Sequence, residues 1–137
     1  DYVTISNNTA ASSNGALDVE NDGTISISNS VVAGNAGSDC RDAATGTGLT
    51  DAGGNFFGDT SCNGSADGNA MLAPLAMTAG LTPTMTPLPG SLVIDAAACD
   101  AGVPTDQRGL TRPQGAGCDI GAVEVEASLF ADGFDGN

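Results

Sequence analysis

The chain has 137 residues, of which 17 are acidic and three are arginine, with no lysine or histidine, and its formal net charge is −14. This balance excludes a nucleic-acid interface, which needs clustered Lys and Arg, and the apolar runs are too short to span a bilayer. Strong helix formers are scarce while Gly, Asn, Asp, Ser and Thr abound, so the composition predicts a loop-rich all-β protein.

The first third of the chain contains two similar segments, YVTISNNT (2–9) and TISISNSV (24–31), with an offset of 22 residues. In both, apolar residues alternate with polar ones, which is the pattern of a strand with one buried face. The segment GALDVEN (15–21) alternates in the same way. If equivalent residues stack, Val3 lies on Ile25, Ile5 lies on Ile27, and Asn7 forms an amide ladder with Asn29.

A weaker third copy aligns NSVVAGN (29–35) with NFFGD (55–59), placing Asn29 with Asn55 and Val31 with Phe57. Short strands that recur every 22–26 residues between Asn, Gly and Asp turns favour successive turns of a parallel β-solenoid of about three turns. An antiparallel sandwich with short alternating strands stays open as an alternative. Alternation also predicts that only one of Phe56 and Phe57 is core, while the other could form a sugar platform.

The amino-acid composition changes near residue 70. We therefore divide the chain into coils (1–70), a linker with a capping region (71–126) and a tail (127–137). The segment 71–91 holds four of the six prolines, so neither a long helix nor a central strand fits it. We expect an extended segment along the side of the coil that buries Leu72, Leu75, Leu81 and Leu88. The runs SLVIDAAA (91–98) and IGAVEVE (120–126) read as two further short strands.

Four cysteines in a short acidic chain indicate an oxidising compartment. No CxxC spacing is present, so we expect no zinc site. Of the three possible pairings we favour Cys40–Cys62 with Cys99–Cys118, because each pair closes one loop within one region. Four buried free thiols are the alternative.

The densest polar cluster lies in 99–124 and contains Asp106, Arg108, Arg112, Asp119 and Glu124, with Asp100 at its start. In a functional interpretation, Asp106 and Asp119 act as acid and base on a glycan while Arg108 binds a uronate. In a structural interpretation, buried Arg–carboxylate pairs fix the loop against the end of the coil. We favour the second, because both arginines are surrounded by acid.

A calcium site stays open as an alternative, because acidic side chains occur in Gly- and Asn-rich turns and hard cations prefer oxygen ligands. No known calcium-loop spacing is present, and turn aspartates commonly bind their own backbone. We therefore predict no metal site, no cofactor and no catalytic residue. The turn aspartates in question are Asp22, Asp39, Asp42, Asp51, Asp59 and Asp67.

The string SLVIDAAACD…TDQRGLTRPQGAGCDIGAVE resembles the C-terminal signature of secreted bacterial right-handed parallel β-helix proteins that carry a choice-of-anchor Q domain. ISNSVVAGNAGSDC, GGNFFGDTSC and LTPTMTPLPGS are similar to the same family's final coils and linker. The resemblance implies a β-helix terminus on an exported or surface-associated protein, but no enzyme activity, because the family is named by its architecture. We expect a structural or adhesive role rather than catalysis. A fragment of a polysaccharide-active enzyme and a passive end cap of a larger protein are the alternatives.

The start of the chain predicts an open first turn, with Tyr2, Val3 and Ile5 on an unpaired strand edge. Phe130 and Phe134 in the tail LFADGFDGN are candidates to hold another copy at that edge, giving head-to-tail filaments. Alternatively, the tail folds back on its own coil. The expected partners are copies of the chain or the rest of a longer parent, with surface glycans as a further candidate.

Overall fold

The fold is known from a computed structural model that describes residues 1–9 and 14–126. These residues form an all-β structure in which seven strands pair in three parallel sheets and no helix is present, as the composition predicts. No apolar helix of membrane-spanning length occurs in the described residues. The strands are β1 (Thr4–Ile5), β2 (Gly15–Asn21), β3 (Thr24–Ile27), β4 (Val31–Val32), β5 (Ser38–Ala44), β6 (Gly48–Asp51) and β7 (Phe56–Phe57).

The chain visits the three sheets in a fixed order. β1, β2 and β3 start one sheet each, β4, β5 and β6 return to those sheets in the same sequence, and β7 returns to the first. The order of the first sheet is β1-β4-β7, and all its pairings are parallel. Each parallel pairing therefore needs a connection that carries the chain around to the same edge.

The observed register differs from the predicted 22-residue repeat. Ile5 pairs with Val32, not with Ile27, and Ile25 pairs with Leu49. The prediction was wrong because segments 2–9 and 24–31 contain strands of different sheets, β1 and β3. Alternation shows that a strand is half-buried, but it does not show which sheet the strand joins.

The same correction applies to the turns and to the third copy. In the observed register Asn29 aligns with Tyr2 and Gly54, not with Asn7. All three aligned residues have left-handed backbone, with φ of 53° at Tyr2, 47° at Asn29 and 68° at Gly54. Val31 pairs with Phe56 rather than Phe57. A one-residue slip of this kind exchanges the two faces of a strand.

The first sheet is buried on both faces. Ile5, Val32 and Phe57 stack in register and face an interior cluster that includes residues from all three sheets. Val31 and Phe56 face the opposite way, into a second cluster formed with the C-terminal region. Both phenylalanines are therefore core, in contrast to the expectation, and the double burial explains the non-alternating pairs VV and FF.

Residues 71–88 form an irregular antiparallel hairpin rather than a segment lying along the coil. Its arms are joined at Ala76 and Thr84 by two backbone hydrogen bonds of 2.9–3.0 Å. The predicted burial of four leucines is wrong for three of them, since Leu75, Leu81 and Leu88 are 65%, 97% and 42% exposed. Leu72 is the exception, since it packs against the core cluster that includes Val31 and Phe56.

Residues 91–126 cover the outer face of the first sheet, and not the end of the coil as predicted. Tyr2 donates its hydroxyl hydrogen bond to the carbonyl of Ala98 at 2.7 Å, and the amide of Gly121 donates to the carbonyl of Asn29 at 2.8 Å. The runs 91–98 and 120–126 are turns and irregular chain, not strands. Their apolar residues were correctly read as buried, but they bury against a sheet without joining it.

Candidate functional site

Both disulfides join the predicted partners. Cys40 is bonded to Cys62 with an S–S distance of 1.97 Å, and Cys99 to Cys118 at 2.06 Å. The first ties β5 to the loop after β7, and the second closes the loop 99–118. No cysteine is free. Two disulfides in a domain of this size are typical of proteins that mature in an oxidising compartment.

The centre of the polar loop is a buried ion pair between Arg112 and Glu124, whose side chains are 2% and 0% exposed. Arg112 also donates to the carbonyl of Asp119 at 3.2 Å and to that of Gly121 at 2.7 Å. Its guanidinium carbon lies 4.2 Å from the centroid of the Tyr2 ring. The arginine therefore connects the loop directly to Tyr2, which precedes β1.

Arg108 and Asp106 form the second pair of the loop. The guanidinium donates to one carboxylate oxygen from Nε at 2.9 Å and from Nη2 at 2.8 Å, and Nη2 also donates to the carbonyl of Glu124. The backbone amides of Arg108, Leu110 and Glu124 donate to the same carboxylate. Burial acts to raise the pKa of Asp106, but these hydrogen bonds outweigh it and hold the pKa below its usual value.

Asp119 is the third buried carboxylate, at 1% exposure. Its oxygens accept from the amides of Asp95 at 2.7 Å and Val125 at 2.6 Å. Burial raises the pKa of Asp119 despite these bonds, and the neighbouring negative charges of Glu124 and Asp95 add to the shift. Both predicted acid–base candidates thus have each oxygen occupied by the chain itself, and neither opens toward a substrate.

Five of the six turn aspartates accept hydrogen bonds from backbone amides, and Asp22 accepts one from the hydroxyl of Thr45. Asp42 accepts from Leu49 at 2.8 Å and from Ala44 at 3.1 Å, and these bonds lower its pKa. Burial acts to raise the pKa of Asp51 and Asp59, but hydrogen bonds outweigh it and the pKa is again below the usual value. Among the residues that the structure describes, no group of three acidic or cysteine side chains is placed to hold one metal ion.

The two edges of the first sheet differ. At the β7 edge, Phe57 donates its amide to the carboxylate of Asp67 at 2.8 Å and accepts from the amide of Asp67 at 2.7 Å. At the β1 edge, the amide and carbonyl of Thr4 point away from β4, and they have no hydrogen-bond partner among the described residues. One edge is therefore closed by a side chain and the other is open.

The residues predicted for an assembly edge fall into three groups. Tyr2 is buried at 6% exposure against the C-terminal region and is not available to another chain. Val3 is 44% exposed and Ile5 half-buried, both at the open edge. Phe130 and Phe134 lie outside the described residues.

Sequence reasoning missed Asp67, which closes the β7 edge, and the contact of Tyr2 with Arg112. Asp67 was seen only as a turn residue, and the only available signal was its position shortly after a short apolar strand. No protein-family model, curated protein or solved structure matches the chain.

Proposed function

We propose that the chain is a structural and adhesive module of an exported bacterial protein, formed by the last turns of a right-handed parallel β-helix. The fixed order in which the chain visits three parallel sheets supports the helix. The resemblance of 91–124 to the choice-of-anchor Q signature supports the family, and the two disulfides support export.

The occupied polar loop is the observation that carries the structural role. An enzyme of the polysaccharide-active kind needs carboxylates that can reach a sugar. Asp106 instead accepts hydrogen bonds from Arg108, and Asp119 accepts them from backbone amides. Arg112 is paired with Glu124. The loop fixes the C-terminal region to the strands, and this role is structural.

The module docks through the open edge of β1, where Thr4 offers one amide and one carbonyl. The matching partner is an extended strand, supplied by another turn of the parent protein or by a second copy. Growth of a filament through the opposite edge is not part of this proposal, since Asp67 occupies the amide and carbonyl of Phe57. Two copies that pair through β1 form a closed dimer around a two-fold axis.

Sedimentation of the isolated chain tests this docking, in about 0.5 M salt to screen the net charge of −14. A tethered turn would meet the edge at a millimolar effective concentration, so the series extends to about 1 mM. We expect a monomer–dimer equilibrium that Val3→Lys shifts toward monomer. Leu92→Lys is the matched control, because Leu92 is 68% exposed and lines neither of the cavities that include Thr4.

A chain that stays monomeric throughout the series would contradict pairing of two copies through β1, and absence of Thr4 protection in a longer parent chain as well would contradict docking at this edge. Equal effects of the two lysine variants would show that charge alone controls the association. Amide exchange separates the two sources of the strand: protection of Thr4 that rises with concentration reports a second copy. Protection of Thr4 only when a longer parent chain is used reports a preceding turn.

A further inference from the structure

A furrow runs between the first sheet and the hairpin 71–88. It consists of two adjoining cavities of about 390 and 380 Å³, which share Ser6, Asn7 and Met85 in their walls. Each cavity lies within the 300–1,000 Å³ range of small-molecule sites. The second cavity also touches Thr4 at the β1 edge and Gln107 and Ala122 of the C-terminal region. None of these three residues lines the first cavity.

The floor of the furrow exists because the residue that follows each strand of the first sheet is small. Ser6, Ala33 and Gly58 come directly after β1, β4 and β7 and stack across the sheet. A Cβ at Gly58 would lie 2.6 Å from a carboxylate oxygen of Asp39 and 2.9 Å from Ala33, so only glycine fits there. Leu72 and Met85 of the hairpin form the facing wall.

The walls are uncharged. Of the described residues that line the two cavities, none is acidic or basic, although the chain holds 17 acidic residues. Carboxylates are thus kept away from this surface while they crowd the surrounding turns. An anionic ligand would still meet the field of a strongly negative protein, so the site favours a neutral one.

The polar groups of the furrow are amides and hydroxyls. Asn7 makes no side-chain hydrogen bond to any described residue, and Asn69 uses only its oxygen, which accepts from the amide of Met71 at 2.7 Å. Carboxamides both donate and accept, as sugar hydroxyls do. The side chains of Leu72, Leu75 and Met85 offer apolar surface to the C–H faces of a sugar ring.

We propose that this furrow binds a neutral oligosaccharide. The inference rests on the adhesive part of the proposed function and names its ligand class. It does not depend on docking at β1. Loss of sugar binding with β1 association intact would refute the furrow alone, and the reverse result would refute the docking alone.

The test is a titration followed by amide NMR shifts, with cellohexaose and maltohexaose as neutral probes and hexagalacturonate as the acidic probe. We expect at least one neutral probe to shift the amides of Gly34, Gly58 and Gly68 saturably, with a Kd below about 1 mM. Hexagalacturonate should leave these three amides unchanged. An uncharged pentapeptide of alternating serine and valine tests the other class of extended ligand.

Two variants act on the furrow by different routes. Asn7→Gly removes the carboxamide while keeping the left-handed backbone, at φ 58°, and should weaken binding about fivefold. Ser6→Phe fills the furrow and should abolish binding. The matched controls are Asn14→Gly and Ser26→Phe, both at exposed positions outside the furrow, and both should bind as the unaltered chain does.

Four results would overturn the proposal. These are no saturable shift with either neutral probe up to about 5 mM, equal response to hexagalacturonate, binding of the peptide alone, and equal losses in the furrow variants and their controls. The amide spectrum of each variant shows directly whether it is folded. Asn7→Gly keeps the test decisive if Ser6→Phe disturbs the first turn.

Discussion

Replacing the three arginines one at a time by alanine tests how far each site depends on its charge pair. Arg112→Ala should lower the free energy of unfolding the most, because Glu124 is fully buried and the carbonyls of Asp119 and Gly121 lose their hydrogen-bond donor. Breaking a buried pair by removing one partner costs about 3–5 kcal/mol. We expect Arg112→Ala to fall in that range, moderated because Glu124 keeps the amide of Asp119 at 2.8 Å.

Arg108→Ala should cost less, about 2 kcal/mol, because three backbone amides continue to compensate Asp106. Arg41→Ala is the surface reference. Arg41 is 30% exposed and pairs with Asp18 and Glu20 at the protein surface, where solvent screens the attraction, so its loss should cost the least of the three. The expected order of destabilisation is therefore Arg112, Arg108, Arg41.

Urea denaturation followed by circular dichroism gives the free energy of unfolding of each variant, provided that the m-values agree. Arg112→Lys keeps the charge but loses the planar fork, and it should lie between the unaltered chain and Arg112→Ala. An Arg112→Ala variant no less stable than Arg41→Ala would refute the structural interpretation of the loop. Unchanged stability with loss of sugar binding would support the functional interpretation instead.

Three further predictions follow from the described contacts. Replacing Cys40 and Cys62 together by serine should lower the free energy of unfolding by about 3 kcal/mol, from a sequence separation of 22. The measurement is urea denaturation against the unaltered chain with both disulfides intact, and an effect below about 1 kcal/mol would contradict the prediction. Gly58→Ala should be more destabilising than an ordinary surface substitution, because the added Cβ would lie under 3 Å from Asp39 and Ala33. A melting temperature equal to that of the unaltered chain would contradict this and show that Asp39 and Ala33 can shift. Stability should fall as the pH drops below about 3.8, the usual pKa of an aspartate. The folded state lowers the pKa of Asp106 and of the turn aspartates Asp42, Asp51 and Asp59, so these groups stabilise the fold only while they are ionised. A urea midpoint that stays constant from about pH 5 to about pH 2 would contradict this sign. Asp119 has a raised pKa and contributes in the opposite sense and in a different window: its protonation adds stability as the pH falls toward about 3.8, before the acid loss begins.

The sequence predicted those features that local chemistry decides. The alternation of GALDVEN gave the strand β2 with its observed bounds, and the spacing of the four cysteines favoured the pairs that form. The crowding of Arg108 and Arg112 by acid predicted internal pairing, which both side chains show. In each case the partners lie within about 25 residues along the chain or share one disulfide loop.

Features that depend on distant packing were not predicted. The register between β1 and β4 depends on a turn length that alternation does not encode, so Ile5 was aligned with Ile27 instead of Val32. The burial of Phe56 depends on a region more than 30 residues downstream. The open edge at Thr4 and the closed edge at Phe57 differ only through Asp67, a residue type that is common in ordinary turns.

The double burial of the first sheet has a consequence for the order in which the protein can fold during synthesis. Val31 and Phe56 leave the ribosome well before Val93, Cys118 and Ile120, the residues that cover them. At about 5–20 residues per second, the interval between Phe56 and Ile120 is roughly 3–13 s. During that time the nascent chain presents Val31 and Phe56 on an uncovered sheet face, which is a surface prone to aggregation. The C-terminal region therefore covers this face only at the end of synthesis. A nascent chain interrupted before that region should need a chaperone to remain soluble.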